Sequence, residues 1–83
     1  MLVRQVKAAR ALLAWSQQDL ARASGVSEPT IGRLEAVDGV LGGRGETSRK
    51  IRAALEKAGV EFIDENGGGV GVRLRKSQRG TKK

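Results

Sequence analysis

The sequence predicts a mainly α protein, four helices followed by a C-terminal β-hairpin. Three observations point there. Apolar residues recur at three- and four-residue spacings between Leu2 and Ala58. Ser16, Gly25, Ser27 and Gly59 punctuate those runs where helices would start and stop. Beyond Gly59 the period drops to two, with Val70, Val72 and Leu74 alternating with Gly71, Arg73 and Arg75.

The first helix spans about 2–14, with Leu2, Val6, Ala9 and Leu13 on one stripe and Arg4 and Lys7 elsewhere. Ser16 is an N-cap for the second helix, about 17–24. Asp19, three residues on, supplies the acidic partner of a capping-box-like start. This helix buries Leu20, Ala21 and Ala23. Gly25 ends it, because glycine enters the left-handed region without a Cβ penalty. Val26 is a buried turn residue and Ser27 a second N-cap. The third helix, about 28–36, turns Ile31 and Leu34 inward and carries Pro29 in its first turn, where a missing N–H does no harm. A glycine-rich loop covers about 37–45. The fourth helix, about 46–58, aligns Ile51, Ala54, Leu55 and Ala58. Val60 to Ile63 forms a strand, Asp64 to Gly69 a turn, and the alternating segment a second strand. The chain thus divides into a helical part, 1–58, a hairpin, 59–76, and a basic tail, 77–83, that lacks any apolar residue.

Composition narrows the function. Eighty-three residues make one small domain with a minimal core. There is no Cys and no His. A disulfide framework, a Cys/His zinc site, a thiolate nucleophile and a histidine general base are therefore excluded. No enzyme activity, metal or cofactor is expected. Sixteen Lys and Arg against nine Asp and Glu leave a net charge of +7, which favours a polyanionic partner, nucleic acid before a membrane surface. Trp15 and Phe62 are the only aromatic residues, too few to stack single-stranded bases and a weakness of any RNA-binding reading. The longest apolar run, Ala11 to Trp15, is far short of the roughly 20 residues of a membrane helix. Arg4, Lys7 and Arg10 interrupt any signal-peptide core, so a cytoplasmic protein is expected. Neither glycine cluster is followed by Gly-Lys-Ser/Thr, so neither is a Walker-type phosphate loop.

The informative unit is the pair of short helices around Gly25. A helix-turn-helix needs a small residue where the helices cross, a turn residue tolerant of positive φ, and apolar contacts locking a steep angle. Ala21, Gly25, and the set Leu20, Val26, Ile31 and Leu34 meet those needs. The second helix of the pair then projects its outer face into a DNA major groove.

The run Trp15-Ser16-Gln17, Leu20-Ala21, Gly25-Val26-Ser27, Thr30-Ile31 and Leu34-Glu35 resembles the Cro/C1-type (XRE-family) helix-turn-helix of the lambda and 434 phage repressors. The resemblance covers about 2–58. It implies a four-helix lambda-repressor-like domain in which Gln17 donates to a DNA phosphate and buttresses the recognition helix. It also implies that Ser27, Glu28, Pro29, Thr30 and Arg33 lie at the exposed front of that helix, and that Arg10 and Glu35 form a structural ion pair. Arg33 is the leading base reader, since Arg to guanine is the commonest specific contact. Glu28 either accepts from a cytosine amino group or simply favours the helix dipole. Pro29 and Gly32 depart from the family. Gly32 either lets backbone approach DNA or serves helix packing. Loops in this place in the family run along the DNA backbone, so Gly43 and Arg44 are phosphate candidates; a mobile linker is the other reading.

The hairpin stands where the family commonly has a fifth helix. Its apolar side must cover the fourth helix or a second subunit, which makes Phe62, Val70, Val72 and Leu74 dimerisation candidates. The function expected is a bacterial or phage transcriptional regulator of double-stranded DNA. It acts as a homodimer on inverted half-sites and represses by occluding a promoter. The alternative is an antitoxin-type protein that binds a partner protein through hairpin and tail and regulates its own operon.

Overall fold

The protein is described from a computed structural model covering residues 1–75. The predicted tail, 77–83, and the last residue of the predicted hairpin segment lie outside the described residues. The elements run α1 (Val3–Leu13), α2 (Gln17–Ser24), α3 (Glu28–Glu35), α4 (Gly45–Lys57), β1 (Val60–Ile63) and β2 (Gly71–Leu74). The predominantly helical fold with a terminal hairpin is the one the periodicities predict.

The helix boundaries follow local chemistry. The Ser16 hydroxyl accepts from the Asp19 N–H at 3.0 Å, and the Asp19 carboxylate accepts from the Ser16 N–H at 2.9 Å. That reciprocal capping box fixes where α2 begins. Gly25 sits at φ 77° and its N–H returns to the Ala21 carbonyl. Ser27 caps α3 through the Thr30 N–H. At the end of α1 a non-glycine residue, Ala14, takes the left-handed conformation at φ 58°, and Trp15 N–H closes onto the Arg10 carbonyl.

The core gathers one apolar stripe from each helix: Val3, Val6 and Ala9 of α1, Leu20 of α2, Ile31 of α3, and Ile51 and Leu55 of α4. Ala54 of α4, with Val26, Leu41 and Val60 from outside the helices, completes it. Three inward assignments need correction. Ala23 and Ala58 are exposed, because α2 and α4 each bury a narrower stripe, centred on Leu20 in one and on Ile51, Ala54 and Leu55 in the other. Leu2 is only half-buried, and Val3 takes its place inside. The N-terminal residues are pulled toward the α3–α4 loop, where Val3 N–H donates to Gly39 O and Leu41 N–H to Met1 O. Trp15 is half-buried, packed on the edge of the core.

That loop is not a free linker over its first half. Besides the two backbone bonds, Leu41 is buried and Arg4 makes a bidentate pair with Asp38.

β1 and β2 pair antiparallel, with Val60 opposite Leu74, Glu61 opposite Arg73, Phe62 opposite Val72, and Ile63 opposite Gly71. β1 lies against α4 and β2 against α1. One buried polar side chain, not anticipated from the sequence, clamps the hairpin down. Gln5 is 6% exposed. Its Nε2 donates to Gly71 O at 3.0 Å, and its Oε1 accepts from Leu2 N–H at 2.8 Å. A satisfied amide costs little to bury; an unsatisfied one costs about 1–3 kcal/mol. The only sequence signal was a glutamine beside an apolar stripe, which the reading passed over.

Candidate nucleic-acid interface

α3 owes its placement to three contacts: its capping serine, its buried Ile31, and the carboxylate at its end. Glu35 is 4% exposed. Arg10 reaches it from α1 with both fork nitrogens, Nε to Oε2 at 2.9 Å and Nη2 to Oε1 at 2.6 Å. The remaining Arg10 nitrogen donates to Trp15 O at 3.0 Å. Gln17, the first residue of α2, donates from Nε2 to Glu35 Oε1 at 3.1 Å. The ion pair expected between Arg10 and Glu35 is therefore formed, and it ties α1, the α1–α2 turn, α2 and α3 together. Burial works against the Glu35 charge. The Arg10 and Gln17 hydrogen bonds and the charges of Arg10 and Lys7 outweigh it, holding the carboxyl below its ordinary range. The hydrogen bond to Glu35 raises Arg10 above its ordinary value. Gln17 spends one amide hydrogen on Glu35; the second is available to an external acceptor at the start of α2.

The outer face of α3 carries Glu28, Pro29 and Arg33, all exposed, with Thr30 half-buried. The Ser27 hydroxyl donates to Thr30 Oγ1 at 2.8 Å, and Arg33 Nη2 donates to the same oxygen at 3.2 Å. The guanidinium thus lies back along its own helix, one turn from the capping serine.

Beside this face a notch opens, lined by Thr30, Arg33, Leu34, Gly43, Arg44 and Thr47. Four of the predicted DNA-contacting residues, Thr30, Arg33, Gly43 and Arg44, are brought together here. Gly43 sits at φ 81°, and a Cβ there would stand 3.1 Å from Leu34 Cδ2. The glycine lets the loop close against α3. Thr47, in the first turn of α4, completes the notch. Sequence reading missed it because a threonine early in a helix is an ordinary surface residue. Among the described residues, Arg33 and Arg44 enter no ion pair, whereas Arg4, Arg22, Lys50, Arg52 and Arg73 all do. Two uncommitted guanidiniums flanking a notch with two hydroxyls and helix N-terminal N–H groups suit a phosphate backbone.

Packing within the chain does not require glycine at position 32. A Cβ there would meet only Gln17 Oε1, at 3.5 Å, an ordinary contact. Since glycine within a helix costs about 0.5–1 kcal/mol relative to alanine, Gly32→Ala is expected to stabilise the fold by that amount, read as a raised urea midpoint. A lowered midpoint would show that Gln17 has no room to accommodate the methyl.

The predicted dimerisation residues divide. Phe62 and Val72 pack on the chain's own core, and the Arg52 guanidinium stacks on the Phe62 ring at 4.8 Å. Val70 and Leu74 are exposed. Among the described residues no acidic cluster could hold a metal, and no helix is long and apolar enough to cross a membrane.

Two short capped helices joined by a tight turn at Gly25, with an exposed outer face on the second and uncommitted guanidiniums beside it, have the form of a helix-turn-helix. A family model described as Helix-turn-helix matches residues 6–36, from within α1 to just past α3. Residues 6–36 therefore carry a helix-turn-helix of the XRE kind, which supports a DNA-binding transcription regulator. No curated protein matches the chain.

Proposed function

We propose that the protein represses transcription as a homodimer, each copy laying α3 in the major groove of one of two inverted half-sites and occluding a promoter, its own included. The observation that carries this reading is the arrangement of Thr30, Arg33 and Arg44 around one notch beside the exposed front of α3. Arg33 reads a base edge, with Glu28, Pro29 and Thr30 around it. Gln17, Ser27, Gly43 and Arg44 hold phosphates on either side. One recognition helix reads only a few base pairs, so two copies one DNA turn apart, roughly 34 Å, are needed for a specific site.

Footprinting the pure protein on DNA upstream of its own gene tests the reading. Two protected, inverted half-sites about one turn apart are expected; uniform protection at all concentrations would defeat it. The tail, outside the described residues, enters a separate measurement. Deleting Ser77 to Lys83 removes Arg79, Lys82 and Lys83. If all three pair with phosphates, the slope of log K against log salt becomes shallower by up to roughly 2.7. An unchanged slope would assign those charges to solvent.

A further inference from the structure

We infer that residues 1–4 act in DNA binding without touching DNA. The Arg4–Asp38 pair and the backbone bridge beside it hold the α3–α4 loop in the form that presents Gly43 and Arg44 to a phosphate. Arg4 and Asp38 are thus positioning residues. The inference rests on the reading above that this loop meets the DNA backbone.

The loop itself supplies little order. Between the end of α3 and the start of α4 it holds Gly39, Gly42 and Gly43. Gly39 and Gly43 stand at φ 101° and 81°. Glycine gives up more conformational freedom on ordering than any other residue. A free loop would have to be ordered by DNA, and affinity would fall by that cost.

The N-terminal segment orders it beforehand at three places. Arg4 Nε donates to Asp38 Oδ1 at 3.2 Å and Arg4 Nη2 to Asp38 Oδ2 at 2.9 Å. Val3 N–H donates to Gly39 O at 2.8 Å, and Leu41 N–H to Met1 O at 3.0 Å. Leu2 lies opposite Val40 in the antiparallel bridge that these bonds frame. Leu41 belongs to the core. Between that anchor and Gly45, the first residue of α4, lie only Gly42, Gly43 and Arg44. Gly43 rests on Leu34 of α3, where a Cβ would stand 3.1 Å from Leu34 Cδ2. A span this short, fixed at both ends, keeps Arg44 in the wall of the notch, across from Arg33.

Stability does not account for the pair. The Arg4 and Asp38 side chains are 80% and 61% exposed, and exposed ion pairs add little to folding. What a bidentate fork adds is geometry. Asp38 is also the single acid between α3 and α4. Alone, its charge repels DNA. Bound to Arg4, it is neutralised and becomes an anchor.

That charge gives the test a sign. Asp38→Ala removes a negative charge, so charge alone predicts tighter binding; loss of an anchor predicts the reverse. On a labelled duplex from the region upstream of its own gene, Asp38→Ala is expected to bind up to about fivefold more weakly. The slope of log K against log salt becomes shallower by up to roughly 0.9 as the Arg44 contact loosens. In an Arg44→Ala background the same change is expected to leave the slope where it is. Arg4→Asp alone also weakens binding, whereas Arg4→Asp combined with Asp38→Arg restores it. The exchange keeps the net charge, and the helix dipole favours an acid in the first turn of α1. Thermal melting of each variant verifies that it is folded. Asp38→Ala binding as tightly as wild type or more so, or an exchange that fails to restore binding, overturns the clamp; weakened binding by Arg44→Ala then leaves the loop–phosphate reading standing. Wild-type affinity and slope in Arg44→Ala overturn both.

Discussion

Glu35→Ala is expected to destabilise the fold by about 3 kcal/mol, because it leaves the Arg10 guanidinium largely buried without its counter-ion. Arg10 keeps its bond to Trp15 O and some access to water, which places the loss at the lower end for a broken buried pair. For a domain of this size that is a fall of more than about 12 °C in Tm. Scanning calorimetry measures it; a change under about 1 kcal/mol would mean that solvent replaces the carboxylate at no cost. Replacing both partners together, Arg10→Met with Glu35→Leu, is expected to cost far less than either single change, since no charge is orphaned.

The same pair shapes the acid limb of stability. The Glu35 carboxyl titrates below its ordinary range in the folded protein, the Arg10 and Gln17 hydrogen bonds and the Arg10 and Lys7 charges outweighing its burial. Its contribution is present above the ordinary carboxylate range and is lost as pH falls through the folded value. Asp19, held down by the Ser16 N–H, and Asp38, held down by Arg4, shift in the same direction and share that limb. In Glu35→Gln the loss of stability on acidification should shrink without disappearing. The Arg10 shift is upward from an already high value, so its charge persists throughout.

Arg33→Ala is expected to lower specific DNA affinity by about 1–3 kcal/mol and relax preference at one base position, with non-specific binding little changed. Its guanidinium is free of any carboxylate and parked on Thr30 Oγ1. Turning toward a base edge therefore breaks one neutral acceptor contact and no ion pair. Gln17→Ala should weaken all sequences more evenly, and should also lower stability slightly by removing a donor to Glu35. Competition with base-substituted operators separates the two. An unaltered sequence preference in Arg33→Ala would dismiss α3 as the reading element.

Most of the helical frame was legible because it is written in local chemistry. Ser16 with Asp19, Gly25, and Ser27 with Pro29 set the limits of α2 and the start of α3 through bonds that span four residues or fewer. The change of period after Gly59 marked the hairpin. The resemblance, not the spacing, supplied the Arg10–Glu35 pair, whose members stand 25 positions apart and meet only across two helices.

The rest depended on contacts no local pattern encodes. Gln5 looks like a surface residue until the hairpin brings two carbonyls over it. Leu41 sits in a glycine-rich loop and is buried because the chain's first residues bond to that loop. Thr47 becomes part of the notch only when α4 starts beside α3. The sequence by itself determined the helix-turn-helix, its caps and the exposed face of α3, since each follows from short-range hydrogen bonds and a periodic apolar stripe. Tertiary structure alone decided that Phe62 and Val72 belong to the chain's own core while Val70 and Leu74 remain outside it. Alternation in a strand shows which residues share a face; how far that face is covered depends on where α1 and α4 end up beneath it.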